Sequence, residues 1–413
     1  TGNDTVTAGS GDDKVVAGGN LATGDLLDGG DGTDILSLTS AAALTASALT
    51  STAATAYAAL FSNFETLEIS DQLTASLSVA NFDAMQSLKL KGGSLAATIT
   101  GLASGATIEE NAANGGALTV TVTGAAAGTA DVLNLKLNAG ASADFVVINA
   151  ADVETVNINS TTSATDPTTV TNTVGLLAAA HTTLNVTGNA ALDLSPVALT
   201  SVKTVAAGSF DAGLTVDLTG DANVVTVTTG AGDDVITGGT KADVINAGNG
   251  DNTVAGAAGN DTITTGTGDD AINGGDGNDT INAGAGADSI TGGLGLDTMT
   301  GGAGVDTYVY TAVADSQGVT VDVITDFAVG VGGDVINLAA VAVGTPTFVG
   351  TATGYGAVLT SLVADLSTHA VFDSSTSTLY VDVDGSGTLD TADMAIQLTG
   401  VTAGLVAANV VFA

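Results

Sequence analysis

The 413-residue chain has no cysteine and no tryptophan, only 3 prolines, and aromatic residues make up 3% of it. Its six basic residues are all lysine (Lys14, Lys89, Lys91, Lys136, Lys203, Lys241), and there is no arginine. Each absence excludes something. Without cysteine there is no disulfide framework and no thiolate metal site. Six scattered lysines cannot form the basic face that nucleic acid requires, so no nucleic-acid partner is expected. A surface docking passively on anionic lipid is excluded on the same ground. No apolar run reaches the roughly 18 residues that span a bilayer. The chain starts Thr1-Gly2-Asn3-Asp4, with neither an initiator methionine nor a signal peptide, which reads as a fragment of a longer protein.

What is abundant is acid, glycine and small apolar residues. Forty-four Asp and Glu face six Lys, giving a formal net charge of -38 although only 12% of residues are charged. High acidity with few aromatics would suggest disorder, but a 45% hydrophobic fraction supports a core of Val, Ile, Leu and Ala. Such a chain attracts cations.

A repeat organises the acid. From Thr229 to Val309 the sequence divides into nine consecutive nonapeptides, among them Gly274-Gly-Asp-Gly-Asn-Asp-Thr-Ile-Asn282 and Gly301-Gly-Ala-Gly-Val-Asp-Thr-Tyr-Val309. The sixth position is Asp234, Asp243, Asn252, Asp261, Asp270, Asp279, Asp288, Asp297 and Asp306. The eighth is always apolar, and the fourth is glycine in all but one repeat, where Lys241 stands. Glycines at one, two and four, including Gly232, Gly250, Gly259, Gly268, Gly275, Gly277, Gly286, Gly293, Gly295, Gly302 and Gly304, allow positive φ and let carbonyls converge. The sixth-position carboxylate lies beside them. Positions seven to nine are expected to form a three-residue strand with its middle side chain inward. Two nonapeptides would make one coil of a flattened right-handed spiral, with a hard cation held between successive loops. Ligation by oxygen alone selects Ca²⁺ over zinc or copper. This pattern resembles the RTX nonapeptide G-G-x-G-x-D-x-U-x, a calcium-binding β-solenoid repeat.

A shorter array opens the chain. Asp4 and Asp13 are nine residues apart, as are Asp25 and Asp34, with an insertion around Leu21-Ala22-Thr23. These four aspartates are candidate calcium ligands; the competing reading is a vestigial stretch without metal. Between the arrays, residues 38–219 carry short alternating segments such as Leu67-Glu-Ile69, Leu88-Lys-Leu90, Leu133-Asn-Leu-Lys-Leu137 and Leu184-Asn-Val186. They fit an irregular parallel β-helix leading into the repeat spiral, with a β-sandwich as the competitor. Ala43–Phe61 and Thr169–Ala180 read as helices.

Beyond Val309, Asp322-Val-Ile-Thr-Asp326-Phe327 and Gly333-Asp334-Val-Ile-Asn337 resemble the cap that follows RTX arrays in type I-secreted proteins. That resemblance implies closure of the spiral and one more calcium near Asp322, Asp326 and Asp334. Independently, Asp382-Val-Asp384-Gly-Ser386-Gly387-Thr388-Leu389-Asp390-Thr-Ala-Asp393 fits a twelve-residue EF-hand loop, with donors at Asp382, Asp384, Ser386, Thr388, Asp390 and Asp393. Aspartate replaces glutamate at the twelfth position, which weakens bidentate ligation. The flanks read as strands, so a calcium-binding hairpin competes with an unmetalled acidic turn. Asn409-Val-Val-Phe-Ala413 reads either as an uncleaved export signal or as a buried last strand.

Catalytic patterns are missing. There is no H-E-x-x-H, His181 and His369 are the only histidines, no G-x-S-x-G occurs, and no G-K-[ST] follows a glycine-rich loop. The reading is non-enzymatic. Four segments are expected: short repeats at 1–37, an irregular β-helix at 38–219, a β-roll at 220–309, and a cap with the EF-hand-like loop and secretion signal at 310–413. The fold class is all-β, a right-handed parallel β-solenoid with a C-terminal β cap and minor helices. The composition and repeats together resemble bacterial surface-layer proteins of the Caulobacter type. That resemblance implies export by type I secretion machinery and roughly ten or more Ca²⁺ ions. It further implies calcium-dependent two-dimensional assembly with copies of itself, and attachment to outer-membrane lipopolysaccharide through a preceding N-terminal domain. The alternatives are an RTX adhesin or biofilm-matrix fragment, or the non-catalytic end of a secreted hydrolase.

Overall fold

A strand with one apolar face must bury that face, and a chain with few large rings can do so only by thin stacking of Val, Ile and Leu. The computed structural model shows that solution throughout. It describes all residues except 1–2, 20, 22–23, 49–60, 83–84, 126–129, 178–179, 198, 318–320, 343–345, 355–366, 391 and 413, and the side chain of 146. The chain forms two units, Thr1–Asp217 and Leu218–Ala413.

In the first unit nearly every strand pairs in parallel with the strand two places on, which is the connectivity of a β-solenoid. One sheet runs through Lys14–Gly18, Ile35–Leu38, Thr66–Ile69, Ser87–Leu90, Thr107–Glu110, Val132–Ala139, Thr155–Thr162, Thr183–Gly188 and Thr204–Ala206. The opposite sheet runs through Leu77–Ser78, Ala97–Leu102, Leu118–Val122, Ala143–Ala150, Thr171–Leu176, Ala191–Asp193 and Leu214–Asp217. A smaller sheet, Thr5–Thr7, Leu26–Asp28 and Phe61–Ser62, lies at the N-terminal end. The core is a register column: Leu36, Leu67, Leu88, Ile108, Leu135, Ile158 and Val186 stand opposite one another and are all buried. All-parallel pairing excludes the β-sandwich for this unit.

The helix expected at Thr169–Ala180 is not formed. A 3₁₀ turn at Pro167–Thr169 leads into the strand Thr171–Leu176, because Asn172 and Val174 alternate inward and β-branched threonines face out. The helix expected at Ala43–Phe61 is Ser40–Ser47, N-capped by the Thr39 side chain on the Ala42 N–H. Phe61 begins a strand, and residues 49–60 lie outside those described.

In the second unit the nonapeptides pair at a fixed interval of two repeats. Ile236 faces Val254, Val254 faces Ile272 and Ile272 faces Ile290; on the other sheet Val227, Ile245, Ile263, Ile281 and Met299 align. These eighth-position side chains are the core. The strands are longer than expected in seven repeats, and six residues long in five of them. Ala271–Asp276, for example, continues through the first three residues of the next nonapeptide, because Gly275 and Asp276 also pair with Gly293 and Leu294. After Val309, Asp322–Ile324 stacks on Thr298–Ala303, and Val335–Asn337 stacks on Thr307–Val309. Met394–Leu398 and Val410–Val411 then cover those two strands. An antiparallel meander, His369–Asp373, Thr378–Asp382 and Met394–Leu398, completes the cap. Among the described residues, no helix is long and apolar enough to cross a membrane.

Candidate metal centre

The sixth-position residues do two jobs with two oxygens. Oδ1 of each accepts the backbone N–H of the sixth-position residue two repeats earlier: Asp243 N–H to Asp261 at 2.7 Å, Asp261 to Asp279 at 2.8 Å, Asp279 to Asp297 at 2.8 Å. The second column runs Asp234, Asn252, Asp270, Asp288 and Asp306 in the same way. Each column thus pairs N–H groups that a turn would otherwise bury unsatisfied. The other oxygen is left over. Oδ2 of Asp261, Asp279, Asp288, Asp297 and Asp306 is buried without a hydrogen-bond partner.

These oxygens have a shaped surrounding. A Cβ added to first-position Gly256 would lie 2.5 Å from Asp261 Oδ2 and 2.5 Å from the Gly274 carbonyl oxygen of the next coil. At Gly274 it would meet Asp279 Oδ2 and the Gly292 carbonyl in the same way. In this column, with Gly238, Gly256, Gly274 and Gly292 at the first position, glycine leaves the space between carboxylate and carbonyl open; in the other column Thr265 and Ala283 stand there. Second-position Gly275, Gly284, Gly293 and Gly302 have φ from 101° to 110°, where a side chain would also strike the carbonyl of the preceding coil. Fourth-position Gly250, Gly268, Gly286 and Gly304 stack above Gly232 in one column, and Gly277 and Gly295 above Gly259 in another, each abutting the carbonyl of the glycine below; Gly259 itself abuts the carbonyl of Lys241.

Electrostatics agree. Burial pushes the carboxyls of Asp261, Asp279, Asp288 and Asp297 up to about 6, with neighbouring carboxylates adding to the effect. Lys241 is the only lysine in the sequence of the second unit, and there is no arginine. Buried, partly unpaired, mutually repelling carboxylates facing backbone carbonyls are the donor set of a hard divalent cation.

The repeats match the RTX calcium-binding nonapeptide. The match to this family, described as four copies, covers residues 1–20, 228–263, 248–281, 256–290 and 273–308, well under half of the chain. No curated protein matches the chain. The RTX repeats imply calcium binding.

Around the RTX array the other expected residues divide. Asp322 and Asp334 extend the two ladders, accepting the N–H of Asp297 at 2.9 Å and Asp306 at 3.0 Å. Burial raises the Asp322 carboxyl to about 8, helped by the Asp297 charge. Asp334 Oδ2 is taken by the Ala328 N–H at 2.7 Å. Asp326 is outside the ladder; it accepts the N–H groups of Gly301 and Gly302 and the Tyr308 hydroxyl. In the first unit, Asp25 and Asp34 accept the N–H groups of Asp4 and Asp13 at 2.9 and 2.7 Å. Asp34 Oδ2 is buried without a partner beside Gly29, repeating the RTX cradle, whereas the Asp4 side chain is exposed.

The EF-hand-like loop joins two antiparallel strands, as the flanks suggested. Asp382, Asp384 and Asp393 converge, with one carboxylate oxygen of each within 4.8 Å of the others. Ser386 and Thr388 hydroxyls lie 3.0 Å from each other, but Asp390 turns its carboxylate to the Ala392 N–H at 2.8 Å. Asn409 is fully buried and holds Gly330 through both the N–H and the carbonyl, so Val410–Val411 is a packed last strand.

Two features escaped sequence reasoning. Fifth-position side chains form ladders of opposite sense: Asp233 accepts the Asp251 N–H, Asp251 that of Asp269, and Asn260 that of Asn278. The signal was present as Asp or Asn recurring every second repeat. In the first unit Glu65 and Glu154 take the ladder role for Asp34 and Asp131, at 2.8 and 3.0 Å. The likeness of Phe64-Glu-Thr-Leu67 to Val153-Glu-Thr-Val156 was the available clue.

Proposed function

We propose that this chain is the lattice-forming part of a calcium-dependent bacterial surface layer, a structural protein that folds and joins copies of itself outside the cell. The observation that carries the reading is the double row of buried sixth-position carboxylates, in which Asp261, Asp279, Asp288, Asp297 and Asp306 each have one oxygen committed to the backbone and one left open. Calcium would supply the positive charge that lets these rows persist at neutral pH. Asp261, Asp270, Asp279, Asp288, Asp297 and Asp306 hold it, with carbonyls of the first-position residues and the fourth-position glycines; Asp243, whose two oxygens both accept backbone N–H groups, and Asn252 contribute through the ladder.

In calcium-poor cytosol the acidic chain repels itself and stays extended, suited to type I export. Extracellular sites of this kind have affinities of about 10⁻⁴–10⁻³ M, and binding free energy becomes folding free energy. Asp25 and Asp34 add sites in the first unit, and Asp382, Asp384 and Asp393 one in the cap. Acid beyond what these sites neutralise is available to calcium shared between molecules. Electron microscopy of the chain in millimolar calcium tests the reading: ordered two-dimensional arrays support it, and dispersed monomers at all concentrations favour an adhesin or a secreted enzyme's non-catalytic end.

A further inference from the structure

One buried carboxylate of the first unit takes no part in any ladder. Thr107–Glu110 alternates, so Ile108 and Glu110 both point inward. Glu110 stands in register between Leu90 and Leu137, all three with 0% exposure. Ser160, the next polar residue in that column, is satisfied: its hydroxyl donates to the Ala190 carbonyl at 2.8 Å and accepts from Asn172 Nδ2 at 3.0 Å. Glu110 is not. Its Oε1 accepts from Asn114 Nδ2 at 3.2 Å, while Oε2 is buried with no partner.

A second orphan lies on the adjacent coil. Ser94 is 0% exposed and its Oγ has no partner. Asn114 connects the two residues, accepting the Ser94 N–H on Oδ1 at 2.7 Å and donating from Nδ2 to the Phe145 carbonyl at 3.2 Å as well as to Glu110. Asn114 therefore plays the part of a sixth-position residue toward the coil before it. An asparagine, however, has no second anionic oxygen to offer. Glu110, four residues earlier in the same turn, brings a carboxylate to that spot.

We propose that Glu110 Oε2 and Ser94 Oγ are ligands of a divalent-cation site of the calcium class, built into a turn of the first unit that contains no nonapeptide repeat. Two buried oxygens left unpaired on adjacent coils, one of them anionic, would each be costly without a partner. The nearby lysines do not supply one, since Lys89 and Lys136 pair with the outward Glu109 at 2.8 and 3.3 Å. Burial raises the Glu110 carboxyl to about 7, so near neutrality a proton competes with the cation for it.

The absence of tryptophan gives a clean test. Leu95, beside Ser94, is 40% exposed and accepts a larger ring. In the full chain carrying Leu95→Trp, titrated Tb³⁺ should give emission sensitised by that single tryptophan and displaced by calcium. Adding Glu110→Gln should reduce this emission at least tenfold, and adding Ser94→Ala should weaken it. Adding Glu109→Gln should leave it unchanged. Far-ultraviolet circular dichroism unchanged from the Leu95→Trp parent reports that each variant is folded, and tyrosine-sensitised emission reports that the array in the second unit fills. Undiminished emission with Glu110→Gln, or no tryptophan-sensitised emission while the array fills, overturns the proposal.

Discussion

The Asp297 backbone N–H donates to Asp322 Oδ1 at 2.9 Å, across 25 residues of sequence, at the spacing of one coil in space. This bond hands the repeat ladder to the cap. Asp322→Ala leaves the Asp297 N–H buried and unpaired, which costs about 1–3 kcal/mol. Asp322→Asn keeps an acceptor, as Asn252 does for Asp234 at 3.1 Å. Chemical denaturation in saturating calcium should rank wild type above Asp322→Asn and Asp322→Ala lowest; equal stability of Ala and Asn variants would deny the ladder its role.

Gly274 separates the Asp279 carboxylate from the Gly292 carbonyl. Gly274→Ala places a methyl group in that space without demanding an unusual φ. The expected loss is about 1–3 kcal/mol in calcium, with a lower calcium stoichiometry by calorimetry. A variant that binds as many ions as wild type would place the cation elsewhere.

Acid should affect the metal-free and metal-loaded protein in opposite senses. The ladder carboxyls have folded values raised above the ordinary 3.8, to about 6 for Asp261, Asp279, Asp288 and Asp297 and about 8 for Asp322. A raised carboxyl stabilises the folded state fully below its unfolded value, and that contribution fades as pH rises through the folded value. In EGTA, the melting temperature should therefore fall from about pH 4 to about pH 8. In excess calcium it should instead rise over this range, because protons and calcium compete for the same oxygens. Parallel melts followed by circular dichroism decide it; the same slope with and without calcium would mean that these carboxylates are not the calcium ligands.

The repeat was legible because its period is rigid: position eight is apolar in every nonapeptide, so pairing at two repeats follows from counting. The first unit was legible only as strands. Its coils vary in length, so the interval from Asp13 to Asp34 is 21 residues but from Asp34 to Glu65 is 31, and no period exposes the ladder. Thr169–Ala180 misled because an alanine-bearing stretch outweighed the inward alternation of Asn172 and Val174. Glu110 was hidden beside Glu109. Adjacent residues of a strand face opposite ways, and only the register with Leu90 and Leu137 shows which one points inward.

The central claim is that calcium on the sixth-position carboxylates drives both folding and association. Titrating calcium into the EGTA-treated chain, with circular dichroism and light scattering read on the same sample, tests it most directly. The account predicts β-structure appearing cooperatively in the range of about 10⁻⁴–10⁻³ M calcium, with scattering rising at or above that point and both reversing on chelation. Full β-structure and assembly surviving in EGTA would contradict it.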